Sequence, residues 1–288
     1  MQPARVVKFE KWQALGNDYL ILETQNLPWE LNAKRIEWLC DPHFGIGSDG
    51  ILLLERSEDP EFVAELRIFN PDGSEAELSG NGAREAILYL RRHGWTDEDT
   101  FAIHTVAGTI VPTITGELTC SVDMGKAATA SKDFPSGSAD GRGTLTAAGR
   151  EWEFQHVSVG NPQCAILVAD EELDELDLGE IGPGIEGNEL FPNRSNVSFL
   201  AIDGSRVRAR IFERGVGETL SSGTGASGAA VTAFLRGAES PIVVELEGGE
   251  LEVEIGEDLA LRLNGWAEPV CSGELSPELL SALSELDH

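Results

Sequence analysis

The apolar positions fall mostly in short runs of strand length. Gly50 to Leu54 and Phe62 to Phe69 read as strands. Thr105 to Met124 alternates apolar and polar residues around a Gly116-Glu117 turn, and Ile242 to Leu263 repeats the pattern, so each predicts a hairpin. Two segments break this rhythm. Asn81 to Arg92 and Thr224 to Leu235 have helical spacing, and each is opened by a glycine-broken phrase. The second is apolar or small on nearly every face, which predicts a helix buried all round. Glu171 to Asp177 reads as an acidic, solvated helix. Ser276 to Leu286 reads as a short amphipathic helix, packed on the first half or on a second subunit.

The two phrases are nearly the same phrase. A shift of 143 residues lays Ser79-Gly80 on Ser222-Gly223, Gly82-Ala83 on Gly225-Ala226, Arg67-Ile68-Phe69 on Arg210-Ile211-Phe212 and Glu75 on Glu218. A shift of 144 lays Gly16-Asn17 on Gly160-Asn161, each followed by an apolar run. This period is too long for a solenoid and predicts a duplicated domain. The expected fold is α/β (α+β), with two pseudo-symmetric halves, each a strand layer wrapped around a central helix. Residues 126–150, rich in Ala, Ser, Gly and Asp, read as a surface connection. The expected division is 1–128, joined by 272–288, and 129–271.

Charge narrows the setting. Fifty acidic residues face 21 basic ones, a net of -29, spread through folded-looking segments. Such a surface repels nucleic acid and anionic lipid, and self-repulsion destabilises the compact state unless salt screens it. The expectation is a salt-adapted protein with no nucleic-acid or membrane partner. No apolar run approaches the ~20 residues of a membrane span, and the start lacks the apolar core of a signal peptide. A cytoplasmic location is expected. Cys40, Cys120, Cys164 and Cys271 are far apart and the five histidines do not cluster, which argues against a metal site and fits a reducing compartment. Cys164 reads as a small buried hydrophobe.

A glycine-rich turn that leads into a helix presents backbone N–H groups at the positive end of the helix dipole, a place for an anion such as a carboxylate. Taken singly, Ser79 or Ser222 reads as an ordinary N-cap; the duplication favours two binding sites facing a shared cleft. One tempting motif fails. Gly45-Ile46-Gly47-Ser48-Asp49-Gly50 matches the dinucleotide fingerprint, but a strand follows it where a helix is required. No serine sits in a G-x-S-x-G elbow.

Ala14 to Tyr19, Phe69 to Ser74, Ser79 to Arg84, Gly160-Asn161-Pro162, and Glu213 to Thr219 with Ser222 to Ala226 resemble the motifs of the diaminopimelate epimerase family, in its order and spacing. The resemblance implies inversion of the α-carbon of diaminopimelate for lysine synthesis, with no cofactor, neither pyridoxal phosphate nor metal, and a homodimer as one assembly. Inversion needs one group to take the α-proton and another to deliver one on the opposite face, and two equivalent groups suit that. By resemblance Ser79 and Ser222 hold the two acid/base places. Gly80, Asn81, Gly223 and Thr224 supply contacts to the α-carboxylate and amino group. Asn17, Asn70, Asn161 and Asn196 hold the polar ends of the amino-acid substrate. Glu213 lies near the amino group and Arg214 on the distal carboxylate.

The chain departs from the family at the reacting positions. The family carries cysteine at both acid/base places, where this chain has Ser79 and Ser222, and its usual histidine after Asn-Pro is Gln163. A thiol near pKa 8.5 ionises far more easily than a serine hydroxyl, which needs an adjacent base. Three alternatives stand: an epimerase whose cysteines have been replaced, an amino-acid racemase or dehydratase of the same superfamily, and a catalytically silent amino-acid-binding protein.

Overall fold

The computed structural model describes residues 6–77 and 79–286. In chain order it contains β1 (Lys8–Ala14), β2 (Asn17–Glu23), α1 (Ala33–Cys40), β3 (Ile51–Arg56), β4 (Ala64–Phe69), β5 (Glu75–Ala76), α2 (Gly80–Arg92), β6 (Ile103–Thr105), β7 (Gly108–Ile110), β8 (Pro112–Gly116) and β9 (Thr119–Lys126). Then come β10 (Arg142–Ala147), β11 (Arg150–Ser158), β12 (Pro162–Leu167), α3 (Asp170–Glu175), α4 (Leu178–Glu186), β13 (Asn196–Asp203), β14 (Arg206–Glu213), β15 (Gly217–Thr219) and α5 (Gly223–Phe234). The chain closes with β16 (Ile242–Leu246), β17 (Gly249–Ile255), β18 (Ala260–Trp266), β19 (Glu268–Glu274) and α6 (Pro277–Ser284). It divides into two compact units, residues 1–120 with 266–288, and residues 121–265.

The first unit's sheet runs β19-β1-β2-β3-β4-β6-β7, with β5 on β4. The second unit's runs β10-β11-β12-β13-β14-β16-β17-β18-β9, with β15 on β14. The pairings repeat. β2 is parallel to β3 as β12 is to β13. β3–β4 and β13–β14 are antiparallel, and β4–β6 and β14–β16 are parallel. In each unit the helix that follows the glycine phrase makes the crossover to that last parallel strand.

Strands covered on both faces explain the unbroken apolar runs. In β2 and β3, Leu20, Leu22, Ile51 and Leu53 join a core with Ile36 and Leu39 of α1 and Leu283 of α6. The alternate residues face α2, which packs on β1, β2 and β3. A Cβ at Gly82 of α2 would stand 2.9 Å from Leu52 Cδ2. In the second unit Cys164, Ile166, Val197, Phe199 and Phe212 meet Leu173 of α3 and Leu178 and Ile185 of α4. α5 packs on β11 to β14, β16 and β17, and residues 225–233 are all buried, as its composition predicts.

The C-terminal helix packs within the first unit. Arg35 of α1 is buried and donates from Nε to the Leu283 carbonyl at 2.9 Å, tying α6 to α1. Residues 126–150 differ from the surface connection expected of their composition. They include β10, and Phe134 and Leu145 enter the second core, the Phe134 ring tilted against Phe154 and Phe191. Small and polar residues dominate the segment by number, but two large apolar side chains fix its path.

Candidate active site

Each unit builds the same frame around its serine. Ser79 is the N-cap of α2 and accepts the Gly82 N–H at 3.1 Å. Ser222 caps α5 and accepts the Gly225 N–H at 3.2 Å. Neither helix carries an acidic residue in its first turn, so the positive end of each dipole is uncompensated by its own side chains. The hairpin before each phrase is clamped by a matched ion pair. Arg67 Nε meets Glu75 Oε1 at 2.8 Å, and Arg210 Nε meets Glu218 Oε1 at 2.8 Å. The glycines allow close packing: a Cβ at Gly225 would come within 2.6 Å of Ile211 Cδ1 and 3.1 Å of Ser222 Cβ.

The asparagines form matched pairs too. Asn81 Nδ2 donates to Asn17 Oδ1 at 3.4 Å, while Asn161 Nδ2 donates to Thr224 Oγ1 at 3.2 Å. What steadies each differs. Asn17 donates to Asp49 Oδ2 at 2.9 Å; Asn161 accepts from Gln163 Nε2 at 2.7 Å. Gln163 is fully buried, and its other amide atom, Oε1, has no partner.

The serines themselves have different partners. Ser222 Oγ donates to Glu213 Oε2 at 3.0 Å, and Thr219 Oγ1 donates to Glu213 Oε1 at 2.8 Å. A serine hydroxyl bonded to a carboxylate has a built-in proton acceptor. The position matching Glu213 in the first unit is Asn70, which turns away into its own turn, donating to Ser74 Oγ at 2.9 Å. Ser79 instead lies beside the phenol of Tyr19. Burial pushes that phenol's pKa up, the side chains of Ser79 and Asn17 pull it down, and the charges of Glu85 and Asp49 push it up again.

The remaining predicted residues lie around the second serine's loop. Asn196 is buried, donates to the Pro162 carbonyl at 3.2 Å and accepts the Arg214 N–H at 2.9 Å. The Arg214 guanidinium is exposed and donates to the Asn193 carbonyl at 2.9 Å. Gly80 has open space beyond it, the nearest atom to an added Cβ being Arg84 Nη1 at 3.9 Å, whereas Gly223 has Leu263 Cδ2 at 3.2 Å.

Residues that motif reading passed over hold this arrangement. Buried Glu186 accepts the Gly215 N–H at 2.8 Å and pairs with Arg194 at 2.6 Å, fixing the loop that carries Arg214. Asp49 steadies Asn17 and Thr219 holds Glu213, while Tyr19 and Glu85 are buried nearby. A phenol inside an aliphatic run and a carboxylate inside an apolar helix were the available signals. Among the described residues no group of three or more His, Cys, Asp or Glu side chains is placed to hold a metal. No described helix is long and apolar enough to cross a membrane. Cys40, Cys120 and Cys164 are buried, Cys271 is exposed, and burial pushes the Cys120 thiol up to about 12.

The profile of the diaminopimelate epimerase family matches residues 9–130 and 155–264. The chain belongs to that family. It is 40% identical to diaminopimelate epimerase 2 of Nostoc sp., over 96% of this chain and 98% of the relative. It is 38% identical to a diaminopimelate epimerase of Synechocystis sp., over 93% and 98%. Among solved structures it resembles a hydroxyproline epimerase from Agrobacterium vitis with bound trans-4-hydroxy-L-proline, at a TM-score of 0.62 and 15% identity, over 97% and 96% of the chains. A Bacillus anthracis protein of the PhzF phenazine-biosynthesis family is similar at a TM-score of 0.65 and 19% identity, over 94% and 99%. These likenesses confirm the mixed α/β fold of the diaminopimelate epimerase family with its two pseudo-symmetric halves.

Proposed function

We propose that this chain inverts the α-carbon of diaminopimelate in lysine synthesis, in the cytoplasm and without a cofactor, with Ser79 and Ser222 as the two acid/base groups. The chemistry asks for one group per face of the α-carbon, and the chain offers one per unit. The observation that carries this reading is the Ser222–Glu213 hydrogen bond of 3.0 Å at the N-terminus of α5. It gives a hydroxyl, a poor base alone, a carboxylate that can take its proton. The backbone N–H groups at each helix start suit the α-carboxylate and the negative charge that develops on it. Gly80, Asn81, Gly223 and Thr224 serve that end. Asn17, Asn70, Asn161, Asn196, Glu213 and Arg214 serve the amino group and the distal end.

The test is proton NMR with LL-diaminopimelate in D₂O at high salt. Deuterium at the α-carbon together with the meso isomer is the expected result. No exchange, even after Ser79→Cys with Ser222→Cys, overturns the reading and leaves a binding protein.

The matched asparagine pairs and hairpin ion pairs support an origin of the two halves by duplication. The net charge of -29 supports adaptation to high salt. A melting temperature that rises steeply with KCl is expected, and one indifferent to salt would count against it.

A further inference from the structure

Arg214 has carboxylates on both sides of it and pairs with neither. Its guanidinium is exposed and donates to the Asn193 carbonyl at 2.9 Å, and among the described residues it forms no ion pair. Glu213 precedes it, and the two Glu213 oxygens accept from Ser222 Oγ at 3.0 Å and Thr219 Oγ1 at 2.8 Å. Gly215 follows it, and the Gly215 N–H donates to Glu186 Oε1 at 2.8 Å. An exposed guanidinium this close to a carboxylate ordinarily closes on it, because the charge-assisted pair is the strongest hydrogen bonding open to either group. Glu186 is kept from doing so by another arginine.

Arg194 Nη2 meets Glu186 Oε1 at 2.6 Å, and the Glu186 side chain is only 4% exposed. One carboxylate oxygen thus carries both the Gly215 N–H and a guanidinium, and a second guanidinium brought there meets a like charge. The main chain is shaped for this pair. Arg194 has a φ of 62°, the left-handed region that side-chain-bearing residues seldom adopt and that persists where the surroundings hold it. The Arg194 N–H donates to the Phe191 carbonyl at 2.9 Å, and the Ser195 N–H donates to the Glu186 carbonyl at 3.1 Å. Glu186, the last residue of α4, therefore holds this turn by its main chain and by its side chain. The backbone of Arg214 is anchored separately, its N–H donating to Asn196 Oδ1 at 2.9 Å. An anchored backbone and a guanidinium without a carboxylate leave a cation ready for an anion from outside the protein.

We propose that Arg194 acts as a guard: by occupying Glu186 it leaves Arg214 open for the distal carboxylate of the substrate. The proposal rests on the functional reading above, which gives Arg214 that role. Arg194 and Glu186 act only through Arg214 and are positioning residues. Without Arg194 the buried carboxylate is uncompensated, which is costly, and Arg214 is the neighbouring cation that relieves it. Arg214 is then drawn away from the substrate. The distal end binds weakly, while proton transfer at the α-carbon proceeds as before.

The experiment compares the parent, Arg194→Met, Arg194→Lys, and Arg194→Met combined with Glu186→Gln. Two quantities are read: α-proton exchange of diaminopimelate in D₂O against substrate concentration, and the rate at which phenylglyoxal modifies Arg214, followed by peptide mass mapping. Arg194→Met should raise KM about tenfold with kcat little changed, and should slow Arg214 modification by a similar factor. Arg194→Lys keeps a cation on Glu186 and should hold both within about threefold of the parent. The double variant should recover both, because the carboxylate that captures Arg214 is gone. Faster modification in Arg194→Met means a loosened loop, a merely structural role, and overturns the guard. So does a KM that stays high in the double variant, or an Arg194→Met protein that matches the parent. A parent without exchange tells against the proposed function, and the labelling then decides the guard by itself. Slow modification in Arg194→Met alone upholds it; any other order overturns it.

Discussion

The Ser222 hydroxyl donates to the Glu213 carboxylate at 3.0 Å, and the second Glu213 oxygen is held at 2.8 Å by Thr219. The carboxylate is thereby aimed at the serine, not merely near it. Glu213→Gln keeps the shape and removes the proton acceptor. We expect a loss of about 10²–10⁴ in kcat, read from steady-state epimerisation. Thr219→Val should cost far less, since it removes only the aim.

Restoring thiols tests the departure from the family. Ser79→Cys with Ser222→Cys should raise turnover by at least about a thousandfold, since each acid/base group contributes ~10²–10⁴. Equal rates for parent and double variant in the same NMR assay would show that serine suffices here.

Two neighbouring glycines should respond oppositely to alanine. A Cβ at Gly82 meets Leu52 Cδ2 at 2.9 Å and Tyr19 Cε2 at 3.3 Å, whereas a Cβ at Gly80 meets nothing closer than 3.9 Å. Gly82→Ala should destabilise by about 1–3 kcal/mol through overpacking. Gly80→Ala should be neutral or stabilise by up to about 1 kcal/mol by restricting the unfolded chain. Urea unfolding of the two variants decides it.

Glu85 should shape the pH dependence of stability. Its folded pKa is raised, chiefly by burial. Between the ordinary carboxylate range and that raised value the folded state holds a proton that the unfolded state has lost. Stability therefore falls as pH rises through this window. Asp41, whose pKa is lowered by the Phe44 and His43 backbone N–H groups, acts in the opposite sense and loses its contribution as pH falls. Glu85→Gln should raise the melting temperature near neutrality, with a gain over the parent that grows as pH rises from about 5 to 8. Parallel melting curves across that range would contradict this.

The repeated frame is legible along the chain alone. A shared shift of 143 residues placed both serines, both glycine turns and both hairpin ion pairs at matched positions. Helical spacing after each phrase located α2 and α5, because an N-cap and the buried face of a helix are local properties of the chain. The motifs named Asn17, Asn81, Asn161 and Thr224 one by one, and the structure joins Asn81 to Asn17 and Asn161 to Thr224. The surroundings of each serine hydroxyl follow instead from the packing of segments distant in sequence. Glu213 turns to Ser222, while its counterpart Asn70 turns to Ser74 and not to Ser79. A side chain's partner depends on register between strands and a helix distant in sequence, and periodicity reports which face is buried, not what waits there. For the same reason Glu85, which helical spacing alone reads as one charge among fifty, lies sealed behind the site with both oxygens unpartnered.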